Sequence, residues 1–372
     1  MYCAVGPYLT GKTTLLESIL NICGATHRKG SVAEGNTVGD ASAEARTHHM
    51  SVEANIATCE YLGDRFSFID CPGSIEFMQE SLNALAGVDA AIVVCEPDAN
   101  KLLALQPFLR HLQSRKIPHL LFVNKIDLAK GQVRELLETL QPASELPLVL
   151  RQVPIRKDGI VRGFIDLALE RAHVYHEHAA SEVVEMPGGE KDGALSARYE
   201  MLERLADYDD RLMEELLSDI APPRDEIFDN LTRDFAAAKI VPVLLGSAQN
   251  DNGVRRLLKA LRHEVPGIAQ TATRLGAPDV NGAVCQVIKT YHTAHGGKLS
   301  VIRLLHGKLK EGETLYSASG NSERVSGILT LLGQQTRKTG VAEAGDTVAL
   351  GRLESIKTGD VLSTLKGNAP RL

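Results

Sequence analysis

The stretch Gly6-Pro7-Tyr8-Leu9-Thr10-Gly11-Lys12-Thr13 fits the phosphate-binding pattern G-x-x-x-x-G-K-[ST] and decides the fold of this chain. It follows a short apolar run and precedes a segment whose apolar residues recur at helical spacing. In such a loop the backbone N–H groups face the phosphates, the lysine adds positive charge and the final hydroxyl can bind magnesium. The stretch therefore predicts a strand, a loop and a helix that hold a nucleoside triphosphate. The predicted ligands are Gly6, Thr10, Gly11, Lys12, Thr13 and Thr14.

A second element, Phe66-Ser67-Phe68-Ile69-Asp70-Cys71-Pro72-Gly73, is an apolar strand that ends in an aspartate and a Pro-Gly turn. Asp70 is the predicted carboxylate of a magnesium site, and the N–H of Gly73 is predicted to contact a γ-phosphate. Asp-x-Pro-Gly alone is an ordinary turn signal. This prediction therefore depends on the phosphate loop upstream.

A third element, Asn124-Lys125-Ile126-Asp127, follows a buried strand and indicates which base is bound. The carboxylate of Asp127 can accept hydrogen bonds from the N1–H and the amino group of guanine, whereas adenine offers no matching pair of donors. A later strand ends in Gly246-Ser247-Ala248, and the N–H groups of Ser247 and Ala248 are predicted to hold the guanine O6. The motifs together predict GTP or GDP as the ligand and disfavour an ATPase or a small-molecule kinase.

The order of strands and helices predicts an α/β fold. Up to about residue 127 they alternate, which is typical of a mostly parallel sheet with helices on both faces. The predicted strands are Ala54–Leu62, Phe66–Ile69, Ala90–Cys95 and His119–Val123, and residues 61–66 read as a tight hairpin. The alternation resumes with a strand at Ile240–Leu245 and a helix at Gly253–Arg262.

Between about residues 150 and 238 the alternation stops, and we expect an inserted subdomain. It contains predicted strands at Ile160–Ile165 and Ala172–His176 and one long helix from Leu195 to Ile220. A polar linker is predicted from Thr271 to Pro278, after the P-loop domain of residues 1–268. The remainder is predicted to be a small all-β barrel over residues 279–366. Its predicted strands are Val284–Thr290, Leu299–Gly307, Thr314–Tyr316, Val325–Leu331 and Thr347–Leu350.

With these motifs in this order, the sequence resembles the translational GTPases, and within them elongation factor G and its close paralogues. The resemblance includes the insert and the run His295-Gly296-Gly297-Lys298-Leu299-Ser300 in the β module. It implies a GTP-hydrolysing translation factor that acts on the ribosome during elongation. The segment His49-Met50-Ser51-Val52-Glu53 looks like the family's first switch loop, and it places Ser51 at the magnesium-binding hydroxyl.

Two departures from the family pattern bear on catalysis. The family's Asp-Thr-Pro-Gly is followed by a histidine that orients the attacking water, and Ser74 stands there in this chain. A serine hydroxyl can hydrogen-bond water but cannot become an imidazolium, so hydrolysis is expected to be slow or ribosome-dependent. The family's phosphate loop usually carries an aspartate where this chain has Leu9. Lys12, Gly73 and Ser74 are the predicted catalytic residues, and the alternative is a switch that binds GTP with little or no hydrolysis.

The resemblance also implies contact with ribosomal RNA and with ribosomal stalk proteins. The apolar face of the predicted long helix, formed by Leu202, Leu205, Leu212, Leu216 and Leu217, either docks a stalk protein or packs within the insert. From Arg274 onward the chain has 13 Lys and Arg against 8 Asp and Glu, although its formal net charge is −6 overall. A basic β module suits contact with RNA.

Composition is that of a folded protein, with 44% hydrophobic and 24% charged residues. There is no apolar run long enough to span a bilayer, and the six cysteines are scattered without metal-ligand spacing. We expect a cytoplasmic monomer that does not contact membranes. In the family three further domains follow the barrel and help to move transfer RNA, and this sequence ends at Leu372, so we expect either a truncated chain or a natural short form without those domains.

Overall fold

The computed structural model describes residues 1–40, 42–48, 50–278, 280–293 and 297–366. The predictions that involve His49, Asp279, His295 and Gly296 lie outside these residues. The helices are α1 (Lys12–Ile22), α2 (Ala43–His48), α3 (Met78–Leu85), α4 (Gln106–Ser114), α5 (Val133–Leu140), α6 (Lys191–Ala206), α7 (Asp210–Leu217), α8 (Arg224–Ala236), α9 (Val254–His263) and α10 (Ile268–Arg274).

The strands of the first part of the chain are β1 (Tyr2–Val5), β2 (Asn55–Tyr61), β3 (Asp64–Asp70), β4 (Ala90–Cys95), β5 (His119–Val123), β6 (Leu148–Leu150), β7 (Gln152–Lys157), β8 (Ile160–Asp166), β9 (Arg171–Val174), β10 (Glu182–Val184) and β11 (Val241–Leu245). Those of the last part are β12 (Val284–Thr293), β13 (Gly297–His306), β14 (Lys308–Lys310), β15 (Thr314–Ser317), β16 (Ser322–Arg324), β17 (Ile328–Leu332), β18 (Gln335–Lys338), β19 (Val341–Glu343), β20 (Thr347–Gly351) and β21 (Val361–Ser363).

The chain divides into two compact units. The first, called the phosphate-loop unit, comprises Val5–Ile22 and Ala91–Val265. The second, called the β-rich unit, comprises Met1–Ala4, Cys23–Ala90 and the chain from Pro266 onward.

The phosphate-loop unit is built on parallel strands in the order β4-β5-β11-β6. Every residue of β4, β5 and β11 is buried, as expected for strands whose two faces are both covered by helices. The parallel sheet predicted from the sequence is confirmed here. Asn124 directly follows β5 and Gly246 directly follows β11, so both loops leave the same edge of the sheet.

The insert forms an antiparallel sheet in the order β10-β9-β8-β7, followed by α6, α7 and α8. The prediction of one long helix from Leu195 to Ile220 is wrong, because the chain breaks between α6 and α7. Asp209 takes an extended conformation there, and its carboxylate accepts the N–H of Leu212 at 3.0 Å, which caps α7.

The apolar face of the insert was predicted either to dock a stalk protein or to pack within the insert, and its five leucines differ in burial. Four of its leucines are buried, which agrees with packing within the insert, and Leu217 is 79% exposed. The buried ones are Leu202, Leu205, Leu212 and Leu216.

The β-rich unit contains a sheet in the order β16-β15-β21-β12-β13-β20-β17-β2-β3-β1. The predicted hairpin is confirmed, since β2 and β3 are antiparallel and meet at Leu62 (φ 51°) and Gly63 (φ 86°), as a two-residue turn requires. Most strands from β12 to β21, but not β16 or β18, contribute to one apolar core that includes Cys285, Ile302, Leu304 and Leu350. The strand predicted at Val325–Leu331 starts three residues later than expected, because β16 ends at Arg324 and the next strand, β17, covers Ile328–Leu332.

The predicted polar linker is partly helical. Helix α10 covers Ile268–Arg274, and Thr271 on it is only 2% exposed. Its hydroxyl donates to Asp89 Oδ1 at 2.7 Å, and Arg303 Nη2 donates to both oxygens of the same carboxylate. A buried carboxylate such as that of Asp89 requires hydrogen-bond donors. Thr271 is therefore polar because it donates to Asp89, not because it faces solvent.

Among the described residues, no helix combines the length and the apolar character that crossing a membrane requires.

Candidate functional site

The predicted phosphate loop connects β1 to α1, and its two glycines are required by the backbone. Gly6 has φ 141°, and a Cβ atom there would lie 2.2 Å from the carbonyl oxygen of Val94. Gly11 has φ 87°, and a Cβ atom there would lie 2.4 Å from Asn124 Nδ2. Side chains at these positions would be both strained and obstructed, because the loop backbone lies directly against its neighbours.

Leu9 occupies the left-handed region with φ 65°, which is uncommon for a residue other than glycine. Its side chain is 61% exposed, so apolar packing does not hold it there. Its carbonyl oxygen instead accepts a hydrogen bond of 2.8 Å from Lys125 Nζ. Strain of this kind concentrates at ligand-binding loops.

The polar side chains of the loop fold over its own backbone. Lys12 is 6% exposed, and its Nζ donates to the carbonyl oxygen of Pro7 at 2.9 Å. The hydroxyl of Thr10 donates to the same oxygen at 3.0 Å. Thr13 is buried and Thr14 is half-buried at the start of α1. The predicted phosphate ligands Gly6, Thr10, Gly11, Lys12, Thr13 and Thr14 thus lie on one short loop and the first turn of one helix.

Asn124 connects three loops of this unit. It is 2% exposed; its Nδ2 donates to Thr10 O at 2.8 Å, and its Oδ1 accepts from Ala248 N at 2.8 Å. One buried amide therefore fixes the phosphate loop, the Asn-Lys-x-Asp loop and the Gly-Ser-Ala loop together. The motif spacing alone did not predict this role.

Lys125 adds a second connection, because its Nζ also forms an ion pair with Glu96. Burial alone would raise the pKa of Glu96, but hydrogen bonds from Lys101 and Lys125 outweigh burial and lower it. The sequence did not point to Glu96 as a site residue, because a single acidic residue after β4 belongs to no motif. It holds Lys125 in the position from which that lysine reaches Leu9 O.

Asp127 lies in a short 3-10 turn, Ile126–Leu128, after β5. Its Oδ1 is buried and accepts no hydrogen bond from the described residues. A buried carboxylate oxygen without a donor is costly unless a ligand supplies one. The N1–H and amino group of guanine are donors of the required kind, so the residues fit this base.

The Gly-Ser-Ala loop is packed tightly. A Cβ atom on Gly246 would lie 2.4 Å from Phe122 Cζ and 2.5 Å from Asn252 O. The N–H of Ser247 donates to Asn252 O at 2.9 Å, and that of Ala248 donates to Asn124 Oδ1. Both amides predicted to hold the guanine O6 have protein acceptors, so the O6 contact stays a prediction and would share these donors.

The remaining predicted site residues belong to the β-rich unit. Asp70 ends β3 and is fully buried, and Ser51 is 8% exposed. A buried carboxylate and a hydroxyl fit Mg²⁺, which prefers oxygen ligands and usually takes few of them from protein. Gly73 and Ser74 are half-buried, and the Ser74 side chain does not cap the 3-10 turn Ile75–Phe77 that follows it.

Comparison with known proteins identifies the family. Residues 1–267 match the family described as Elongation factor Tu GTP binding domain. The chain belongs to this family of translational GTPases. Residues 282–365 match a second family, described as Elongation factor G domain 2. The resemblance to elongation factor G stated from the sequence is thereby confirmed, as is the fold of a P-loop domain with a β-rich domain.

Similar proteins agree with this GTPase family. The chain is 44% identical over 362 residues to an elongation factor G-like protein of Synechocystis sp., covering 97% of the chain and 53% of that relative. It is 30% identical over 381 residues to the mitochondrial ribosome-releasing factor 2 of Drosophila ananassae, covering 97% and 50%. A crystal structure of a Thermus thermophilus protein superimposes with a TM-score of 0.88 at 27% identity, covering 99% of the chain and 54% of that structure. The chain spans about half the length of the relatives it matches.

Proposed function

We propose that the chain binds GTP and GDP through its phosphate-loop unit and hydrolyses GTP. The observation that supports this most is the buried Oδ1 of Asp127, which receives no hydrogen bond within the described part of the chain and lies in a loop that Asn124 fixes to the phosphate loop. The base ligands would be Asn124, Lys125, Asp127, Ser247 and Ala248, and the phosphate ligands Gly6, Thr10, Gly11, Lys12, Thr13 and Thr14. Catalysis is electrostatic in this proposal, because phosphoryl transfer requires positioned positive charge more than a nucleophile.

Lys12 would neutralise charge that develops on the transferred phosphate, and the Gly73 N–H would contact the γ-phosphate. Ser74 would hold the attacking water through its hydroxyl. Thr13, Ser51 and Asp70 are assigned to magnesium, each from its own motif. When bound, Mg²⁺ would stabilise negative charge on the β- and γ-phosphate oxygens.

The second candidate is a GTP-dependent switch that hydrolyses little or nothing. Ser74 favours it, because a half-buried neutral hydroxyl supplies no positive charge beside the γ-phosphate. In that case GTP only selects a conformation, as a ligand with different affinity for two states must do.

We further propose that the protein acts on the ribosome during elongation, as a cytoplasmic monomer without membrane contact. The domains proposed for this are the P-loop domain of residues 1–268, its insert of about 150–238 and the barrel of 279–366. In this proposal the basic β module contacts ribosomal RNA. Stalk proteins are assigned to exposed apolar side chains of the insert, of which Leu217 is the most exposed.

Single-turnover GTP hydrolysis with and without intact ribosomes tests the proposal. Stimulation by ribosomes supports a ribosome-dependent GTPase, and tight GTP binding without stimulation supports the second candidate. Asp127→Asn is the control for the base site and should abolish GTP binding at the concentrations used. If labelled GDP is displaced as well by ATP as by GTP, the guanine assignment is wrong.

Ser74→His tests the water-orienting position separately. Because histidine can carry a positive charge that serine lacks, the variant should hydrolyse GTP faster on the ribosome. An unchanged ribosome-stimulated rate would refute the assignment of Ser74 while leaving the nucleotide site intact.

A further inference from the structure

The inserted sheet holds the chain that follows Asp127. Arg156 on β7 donates from Nη1 to the carbonyl oxygen of Ala129 at 2.9 Å and from Nη2 to that of Gly131 at 2.6 Å. Strand β8 also packs against the turn Ile126–Leu128. One guanidinium of the insert thus fixes two carbonyl groups within four residues of the base-reading carboxylate.

The same insert also reaches the second base loop. After β9, the backbone N–H of His178 donates to Asn250 O at 3.3 Å, and its Nδ1 lies 2.7 Å from Asp251 Oδ2. The other oxygen of Asp251 accepts the hydroxyl of Ser18 on α1 at 2.6 Å. The segment after Ala248 is therefore held between the insert and the helix of the phosphate loop.

Tyr175 lies between these two contacts in the sequence. Its ring packs on Phe164 with centroids 5.7 Å apart, and its hydroxyl is buried without a hydrogen-bond partner among the described residues. Burial, and after it the negative charge of Asp127, raises the pKa of Tyr175 well above its usual value. Because the phenol stays protonated, it can donate a hydrogen bond to a carboxylate and so orient that carboxylate.

We propose that Arg156 and Tyr175 are positioning residues that set the guanine specificity of Asp127. This rests on the proposed guanine-nucleotide site and deepens it. Asp127 would read the 2-amino group of guanine, which hypoxanthine lacks. Arg156 fixes the backbone after Asp127, and the buried hydroxyl of Tyr175 is the donor that would orient the carboxylate. The insert is therefore a part of the base-recognition apparatus and not only an appendage to the sheet.

The test compares the dissociation constants of GDP and IDP, measured by displacement of a fluorescent GDP derivative from the full chain. Losing the contact to the 2-amino group should reduce the preference for GDP about tenfold in Arg156→Met, since a hydrogen bond to a charged group is worth about one such factor. Tyr175→Phe should reduce it about threefold, because only one neutral donor is removed. IDP affinity should change less than GDP affinity in both variants.

Arg171→Met is the matched control, because Arg171 is an exposed arginine of the same sheet. It should leave the ratio of the two constants unchanged. A purely structural role would weaken GDP and IDP binding equally. Tyr175→Phe is nearly isosteric and is expected to fold. If its ratio of GDP to IDP dissociation constants equals that of the wild type, the proposal is overturned, even if Arg156→Met does not fold. A wild-type chain that does not prefer GDP to IDP would overturn the proposed function and this inference together.

Discussion

Asn124→Asp should be far more damaging than its size suggests, because it replaces one atom at the junction of three loops. In the wild type, Nδ2 of Asn124 donates to Thr10 O at 2.8 Å, and Oδ1 accepts from Ala248 N at 2.8 Å. In the variant a carboxylate oxygen would face the Thr10 carbonyl oxygen at the same place. The donor is lost, the Thr10 carbonyl is left without that partner, and a charge is added at a position that is 2% exposed.

The cost can be worked out from these contacts. The lost hydrogen bond accounts for about 1 kcal/mol, and a buried carbonyl left unsatisfied costs about 1–3 kcal/mol more. The buried charge adds a further ~1 kcal/mol or more, even after the loop relaxes. We expect the free energy of unfolding at pH 7 to fall by about 3–5 kcal/mol, a large part of the ~5–15 kcal/mol typical of a folded protein.

The deficit should depend on pH with a definite sign. Burial and the facing carbonyl raise the pKa of the new carboxyl in the folded state above its unfolded value of about 3.9. A protonated carboxyl can again donate to Thr10 O, so the deficit is smallest in acid and grows as the pH rises through the raised pKa.

Guanidinium unfolding at pH 5 and pH 7.5 without nucleotide, and the affinity for GDP, measure the effect. Asn281→Asp is the control, because it makes the same chemical change at an exposed residue. A midpoint for Asn124→Asp within the error of that control would refute the junction role of Asn124.

Two further changes test other contacts. Arg151→Met should destabilise the protein by about 3–5 kcal/mol at pH 7, because it removes a guanidinium that contacts Glu264 at 2.6 Å in the interior. Burial alone would raise the pKa of Glu264, but Arg151 and Arg256 lower it. The difference in unfolding free energy between wild type and Arg151→Met should therefore shrink as the pH falls below about 4.3. Urea midpoints that differ equally between the two proteins at pH 3.5 and at pH 7 would contradict this. Tyr291→Phe should lower the free energy of unfolding by about 1 kcal/mol, because the Tyr291 hydroxyl donates to Ala54 O at 2.7 Å. Amide hydrogen exchange near Ala54 should then be faster than in the wild type. Unchanged exchange there would show that this hydrogen bond does not stabilise the segment.

The sequence was sufficient wherever one local stretch carries the constraint. The phosphate loop was predictable because its glycines are dictated by the backbone, as the left-handed Gly11 against Asn124 shows. The parallel strands were predictable because they are continuous apolar runs with loop signals at their ends. The long helix of the insert was mispredicted because apolar periodicity continues through the break, and only the cap at Asp209 stops it.

What the sequence could not supply is the set of pairings that make the loops one site. Glu96 lies 29 positions from Lys125, and Arg156 lies 27 positions from Ala129, and neither pair has a spacing that any local pattern would flag. These contacts depend on the sheet order and on the way the insert folds back, which are tertiary facts. A motif search therefore finds the atoms that would touch a nucleotide, but not those that hold them in place. If the proposed specificity role of Arg156 holds, nucleotide preference in this family can change through residues that lie outside every motif.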